Sequence, residues 1–249
     1  MIKILKKVCN LAKDSGHFIM DFYLHKERIK VYYKPDNTPV TNVDYKVNNI
    51  IKNSLFSINP HIPIISEEES YNTKLHYKCS RYWLVDPLDG TKEFLNNNGD
   101  FTVNISLIEN GIPILGVIYA PFFKVLYYSL YNTAWKEEDN INREIQVSNS
   151  IIPLVVVSRS HFDEKINSFL KNLKDYTINK MGSSLKFCYI AEGKAQIYPR
   201  FGNTNTWDTA AGEAILIAAG GIVKTWKGDN LNYQLSSSFL NSGFCASVL

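Results

Sequence analysis

Two aspartates three positions apart, Asp86 and Asp89, stand inside the run Trp83-Leu84-Val85-Asp86-Pro87-Leu88-Asp89-Gly90-Thr91-Lys92-Glu93-Phe94. An apolar stretch precedes them, and a glycine and a hydroxyl follow at once. An acidic cluster, Ser66-Glu67-Glu68-Glu69-Ser70, lies upstream, and Trp207-Asp208-Thr209-Ala210-Ala211-Gly212 lies far downstream. Hard divalent cations require several oxygen ligands converging on one point. A phosphate requires backbone N–H groups and positive charge. One short stretch offers both, so the pattern predicts metal-dependent phosphatase chemistry.

Each part also has a plainer explanation. Asp-Pro and Asp-Gly are common turn formers, and either dipeptide alone would signify only a turn. Together they do more. Pro87 fixes the chain just past the strand and keeps Asp86 out of helix. Both carboxylates can then face one cavity, with the Leu88 carbonyl between them as a further oxygen ligand. Gly90 lets the backbone approach an anion closely, and Thr91 begins a helix whose free N–H groups can hold a phosphate.

Acid runs are usually solvated surface. This one follows the apolar strand Ile62 to Ile65, at a strand end where sites in α/β folds form, which suits Glu67 as a metal ligand with Glu68 behind it. Asp208 reads equally as a first-turn residue favoured by its helix dipole, and the two roles are compatible. Asp44 and Lys34 flank a turn and read as helix-start and surface charges. His161 and Lys186 are ambiguous by themselves. The chain has no Walker loop, no GxSxG elbow and no zinc signature.

The elements that must position these groups follow from periodicity. Ile4, Leu5, Val8, Leu11, Ala12, Ile19 and Phe22 predict an amphipathic helix over 2–24, with Gly16 its weak point. Residues 34–40 read as a turn. Val43, Val47, Ile50, Ile51 and Leu55 mark a second helix that Thr41 or Asn42 can cap. Strands are expected at 63–65, 82–85, 101–108, 114–119, 125–130 and 134–136, with Asn110-Gly111 turning a hairpin. Beyond residue 150 come strand 154–157, helices 163–173 and 183–192, strand 195–198, helix 208–219 and strand 244–248. Gly193 and Gly220-Gly221 are good helix stops. An α+β lobe over 1–150 and an α/β lobe over 151–249 are expected to pack closely.

The 249 residues are 45% hydrophobic, enough for a full core. Aromatics at 13% and charge at 20% exclude a disordered or fibrous chain. A net charge of +3 with scattered Lys and Arg gives no basis for nucleic-acid binding. Cys9, Cys79, Cys188 and Cys245 lack metal-ligand spacing and read as small hydrophobes in a reducing cytosol. No apolar run reaches the ~20 residues of a membrane span, and the N-terminus lacks a signal-peptide pattern. A cytoplasmic protein is expected, with peripheral contact at the inner membrane's cytoplasmic face left open.

Asp-Pro-Leu-Asp-Gly-Thr with an upstream Glu-Glu and a downstream Trp-Asp resembles the inositol-monophosphatase superfamily of lithium-sensitive, magnesium-dependent phosphatases. Within it, the run from Asp86 to Phe94 and the run from Gly99 to Ile105 resemble the 3'(2'),5'-bisphosphate nucleotidase branch. Gly116-Val117-Ile118-Tyr119-Ala120-Pro121, Ser158-Arg159-Ser160-His161, Gly182-Ser183-Ser184-Leu185-Lys186-Phe187-Cys188 and the segment from Tyr198 to Gly212 extend the match over nearly the whole chain. Lys92-Glu93-Phe94 matters most for the branch, because inositol phosphatases usually carry Thr-Asn-Phe there.

The resemblance implies a layered αβαβα sandwich and removal of the 3'-phosphate of adenosine 3',5'-bisphosphate to give AMP, in sulfur metabolism. It further implies two or three Mg2+ ions, held by Glu67, Asp86, the Leu88 carbonyl, Asp89 and Asp208. Asp44 and Thr91 match the pair that activates the attacking water. Ser158, His161, Ser184 and Lys186 match nucleotide-pocket positions, and Glu67, Leu88, Asp89, Gly90, Thr91 and Asp208 would also touch substrate. The expected partner is a small nucleotide rather than nucleic acid, bound by a monomer or homodimer. Inositol monophosphate or fructose 1,6-bisphosphate is the rival substrate. A non-catalytic nucleotide- or RNA-binding module is the alternative from another class.

Overall fold

The computed structural model describes residues 1–69, 79–159, 164–235 and 238–248. The chain opens with helix α1 (Ile2–Leu24), whose apolar stripe buries Leu5, Val8, Leu11, Ala12, Ile19 and Phe22. Strands β1 (Val31–Tyr33) and β2 (Pro39–Thr41) form a small hairpin, and helix α2 (Asn42–Ile58) follows directly. The segment expected as a turn over 34–40 is therefore the tip of a hairpin. Its strands are only three residues long, too short for an alternation to register.

A seven-stranded sheet comes next. Its strands are β3 (Ile64–Ser66), β4 (Arg81–Asp89), β5 (Thr102–Glu109), β6 (Ile112–Ala120), β7 (Val125–Leu130), β8 (Thr133–Glu138) and β9 (Ile141–Glu144), in that spatial order. Only β3 and β4 are parallel; the rest is an antiparallel meander with its β5–β6 hairpin turned at Asn110-Gly111. The short helix α3 (Thr91–Leu95) lies between β4 and β5.

The second sheet takes β10 (Leu154–Ser158), β11 (Thr177–Met181), β12 (Ile197–Arg200), β14 (Ile222–Thr225) and β16 (Phe244–Ser247), in the order β11-β10-β12-β16-β14. Its helices are α4 (Glu164–Lys171), α5 (Leu185–Ala191) and α6 (Thr206–Ala218), and β13 (Thr204–Asn205) pairs with β15 (Leu240–Asn241) apart from it. Strands β11 and β14 had not been expected. The residues of β11 are mostly polar and exposed, so no apolar rhythm marks them.

The layers run α1 and α2, the seven-stranded sheet, α5 and α6, the five-stranded sheet, then α4. One core cluster joins Ile65, Leu84 and Ile118 of the first sheet to Phe187, Ile215, Leu216, Phe244 and Ala246 around the second. Lys136 of β8 and Glu192 after α5 form a buried ion pair at 2.9 Å, and the Tyr127 hydroxyl donates to Glu192 at 2.8 Å. Among the described residues no helix is long and apolar enough to cross a membrane.

Helix α6 sits on β6 at Gly116, where a Cβ would lie 2.5 Å from the Ala211 carbonyl oxygen and 2.9 Å from the Ala214 Cβ. Only glycine allows that approach. The Gly116→Ala variant is expected to lose roughly 1–3 kcal/mol by overpacking, a fall in melting temperature of about 2–12 °C for a chain this size. A melting curve at the wild-type midpoint would show that the helix is not seated there.

Candidate metal and phosphate site

Side chains at i and i+3 of a regular strand point to opposite faces of the sheet. In β4, Asp86 pairs with Asn104 and Asp89 with Thr102, so Pro87 and Leu88 stand against the single residue Val103. This is a β-bulge. The surplus residue turns Asp89 back to the face that carries Asp86. Pro87 fits there because a bulged residue gives up its ladder bond. The strand thus continues through the motif to Asp89, whereas the sequence suggested that it ends before Asp86. The chain turns at Gly90, whose φ is +88° and where a Cβ would meet the Asp100 carbonyl oxygen at 2.8 Å. Glycine is required on both counts.

Asp44 and Asp208 come from helix starts. Thr41 caps α2: its hydroxyl accepts from Val43 N at 3.1 Å, and its own N–H donates to Asp44 Oδ2 at 2.8 Å. This reciprocal arrangement satisfies two of the orphan amides of a helix start. In α6, Asp208 Oδ2 accepts from Asn205 N at 2.9 Å. Each aspartate is tied through one oxygen. The other oxygen of Asp44, Oδ1, accepts from the Thr91 hydroxyl at 3.0 Å, and that hydroxyl stands 3.2 Å from the Leu88 carbonyl. Helix α6 begins two residues earlier than the periodicity suggested, which makes Asp208 its third residue.

Carboxylate oxygens of Glu67, Asp86 and Asp208 all lie within 4.8 Å of one another. They fit a hard cation. Asp89 stands beside this trio: its Oδ2 accepts from Ser184 N at 2.7 Å and Asn104 Nδ2 at 3.1 Å. Glu67 is placed by its N–H, which donates to the Val85 carbonyl at 3.1 Å. These acids, with Leu88, Gly90, Thr91, Ser158, Ser184 and Lys186, line a cavity of about 520 Å³, within the usual range for small-molecule sites. Asp44 lies buried behind Thr91. The Ser184 hydroxyl is directed inward, 2.8 Å from Asn104 Oδ1. His161 lies outside the described residues.

Burial governs the electrostatics. It pushes the Asp44 carboxyl up to about 6 against the hydrogen bonds from Thr41 and Thr91. Asp89 is pushed to about 6, again by burial, with Lys186 and two hydrogen bonds opposing. Burial and the neighbouring acids raise Asp86 and Asp208 well above the ordinary carboxylate range. Glu68 rises to about 7 through burial and the charge of Glu67. Burial draws the Lys186 ammonium down to about 8 despite Asp89; its Nζ donates to the Ser183 carbonyl at 2.5 Å and lies 5.2 Å from the Tyr198 ring centroid.

Lys34, Ser183 and Arg200 are among the cavity residues that carried no site assignment in the sequence. Lys34, at the tip of the β1–β2 hairpin, pairs with Glu67 at 2.7 Å and Glu68 at 2.9 Å. Burial lowers its pKa, but the two glutamates outweigh that and hold it above the ordinary lysine value. The cluster of Tyr32-Tyr33 before Pro35-Asp36-Asn37 was the available signal for that hairpin. Ser183 and Arg200 also line the cavity, and among the described residues the buried Ser183 Oγ and Arg200 Nε have no hydrogen-bond partner. Both lie inside motifs already singled out, and Ser183 stands next to the assigned Ser184.

Asp44, Asp89 and Glu68 all titrate above the ~4 of an unfolded carboxyl. A raised folded-state pKa gives stability that is complete below the unfolded value and lost as pH rises through the folded one. In EDTA, the melting temperature is expected to fall between pH 5 and pH 8. Magnesium should raise the midpoint more at pH 8 than at pH 5. A flat profile in chelator would contradict the burial of these acids.

The model of the inositol monophosphatase family matches residues 2–246. The 3'(2'),5'-bisphosphate nucleotidase CysQ of Buchnera aphidicola subsp. Acyrthosiphon pisum is 63% identical over 250 residues, covering 99% of this chain and 94% of that protein. The protein of the same name from Salmonella typhimurium is 48% identical over 245 residues, covering 98% of this chain and all of the other. The crystal structure of CysQ from Bacteroides thetaiotaomicron superposes with a TM-score of 0.84 at 34% identity, covering 99% of this chain and 97% of that one. A bulged Asp-Pro-Leu-Asp strand, two helix-start aspartates and full-length likeness in sequence and fold lead to one conclusion: the chain belongs to the inositol monophosphatase family.

Proposed function

We propose that this chain is a magnesium-dependent phosphomonoesterase that removes the 3'-phosphate of adenosine 3',5'-bisphosphate, giving AMP and phosphate. The observation that carries the reading is the convergence of Glu67, Asp86 and Asp208 beside the Asp44–Thr91 hydrogen bond at one cavity. The choice of substrate draws on the full-length relatives named as 3'(2'),5'-bisphosphate nucleotidases. Enzymes of this family use divalent metal ions. In this reading Glu67, Asp86, the Leu88 carbonyl, Asp89 and Asp208 would hold two or three magnesium ions, which would supply polarisation of the phosphoryl group and offset charge on its oxygens.

The chain's own residues do the rest. Asp44 is ionised near neutral pH, so it can take the Thr91 hydroxyl proton through their 3.0 Å bond as Thr91 takes one from the attacking water. Thr41 fixes the other Asp44 oxygen, which keeps that acceptor aimed. First-turn N–H groups of α3 have no intrahelical partner and are available to donate to phosphoryl oxygens. On the nucleotide side, Ser158, Lys186, Ser183 and Arg200 contribute hydroxyls and positive charge to the cavity wall, and His161 belongs with them by resemblance. Lys92-Glu93-Phe94 favours the nucleotide over inositol monophosphate.

Phosphate release from adenosine 3',5'-bisphosphate is expected to exceed that from inositol 1-phosphate and to vanish in EDTA. Equal rates would remove the nucleotide assignment, and release that survives EDTA would remove the metal. The Asp89→Asn variant is expected to be inactive with a melting temperature, in EDTA, no lower than wild type. Thr91→Ala should cost about 10²–10⁴-fold in kcat, and a variant near wild-type rate would exclude the Asp44–Thr91 relay.

A further inference from the structure

Asp89 reaches the cavity from a crowded anchorage. Its Oδ2 accepts from the Ser184 backbone N–H at 2.7 Å and the Asn104 side-chain amide at 3.1 Å, with the Thr102 hydroxyl at 3.5 Å. Among the described residues nothing bonds to its Oδ1. The carboxylate of Asp89 sets the orientation of the Asn104 amide: an acceptor oxygen there requires the Nδ2 end. Its Oδ1 then faces the hydroxyls of Ser184 at 2.8 Å and Thr102 at 2.9 Å, which also stand 2.9 Å from each other and share their two protons among these contacts. Asn104, Thr102 and Ser184 are 1%, 0% and 2% exposed, so water does not compete for these bonds.

The register explains how they meet. Asn104 and Thr102 are two apart on β5 and share a face, and they pair with Asp86 and Asp89 across the bulge. Ser184 arrives from the start of α5, in the other half of the chain. A buried amide whose two ends are both committed is a rigid strut. We infer that Asn104 is a positioning residue for Asp89, holding Oδ2 so that Oδ1 is the oxygen presented to a divalent ion. The inference rests on the reading of Asp89 as a metal ligand. Groups that fix a metal-bound side chain typically contribute 10–100-fold to metal affinity.

The test is Mg2+ binding by calorimetry on the full chain, alongside steady-state kinetics with adenosine 3',5'-bisphosphate. Asn104→Ala and Asn104→Leu are expected to raise the Mg2+ dissociation constant about 10–100-fold, with the nucleotide KM at saturating Mg2+ within about threefold of wild type. A purely structural role would lower the melting temperature in EDTA without this selective shift. Thr102→Val keeps the volume, removes one hydroxyl that orients the amide, and should move the Mg2+ constant in the same direction. If Asn104 variants that melt like wild type bind Mg2+ equally well, the positioning role is wrong. If they do not fold, an unchanged constant in Thr102→Val overturns it. Wild-type protein that binds no divalent ion would overturn the metal reading as well, whereas Mg2+ binding with turnover of a different phosphomonoester would displace only the substrate assignment.

Discussion

Like charges held together out of water dominate this molecule. Glu67, Asp86 and Asp208 present oxygens within 4.8 Å of each other, a repulsion of at least about 3 kcal/mol per ionised pair at an effective dielectric of 20. The chain answers with directed hydrogen bonds. Asp44 takes the Thr41 N–H, Asp208 the Asn205 N–H, Asp89 the Ser184 N–H, and Asp86 Oδ1 the Leu88 N–H at 3.1 Å. Every aspartate of the site is thus fixed by a main-chain donor through one oxygen. The Lys34 ammonium supplies the nearest compensating charge, across Glu67 and Glu68.

That arrangement depends on elements far apart in sequence. Asp86 and Asp89 come from β4, Asp44 from α2, Asp208 from α6, and the donor to Asp89 from the start of α5. Helices α5 and α6 form the middle layer, so each sheet packs against the same pair. The buried Lys136–Glu192 pair with the Tyr127 hydroxyl ties the end of α5 to β7 and β8. Glu138 at 2.9 Å also pairs with Lys136, and Lys194 at 3.1 Å with Glu192, so the tie is a small ionic network rather than one bond. Packing and site geometry therefore share the same struts.

Much of this was legible in the residues alone. The periodicity of Leu5, Val8, Leu11, Ala12, Ile19 and Phe22 matches the buried stripe of α1, because a long amphipathic pattern has few competing explanations. Thr41 or Asn42 was expected to cap α2, and Thr41 is the residue that does so. The acids were legible through their types and the Pro and Gly around them. Short or polar strands were not: β1 has three residues and β11 is mostly exposed, so neither carries a rhythm. Asn104 lay in a quoted motif, yet its bonds to Asp89 and Ser184 depend on strand register and on a residue eighty positions later. Helix α5 starts at Leu185 rather than 183 because Ser183 has φ of 47°, outside the helical region.

The bulge in β4 has a consequence beyond orientation. An aspartate pair spaced by one residue would share a face without any irregularity, so the surplus residue is not needed for that alone. It frees a peptide oxygen, at Leu88, from the ladder and leaves it beside Thr91. That oxygen brings a dipole and no net charge. In the proposed metal site it would offer a cation one more attachment point without adding another mutually repelling anion to a crowded pocket.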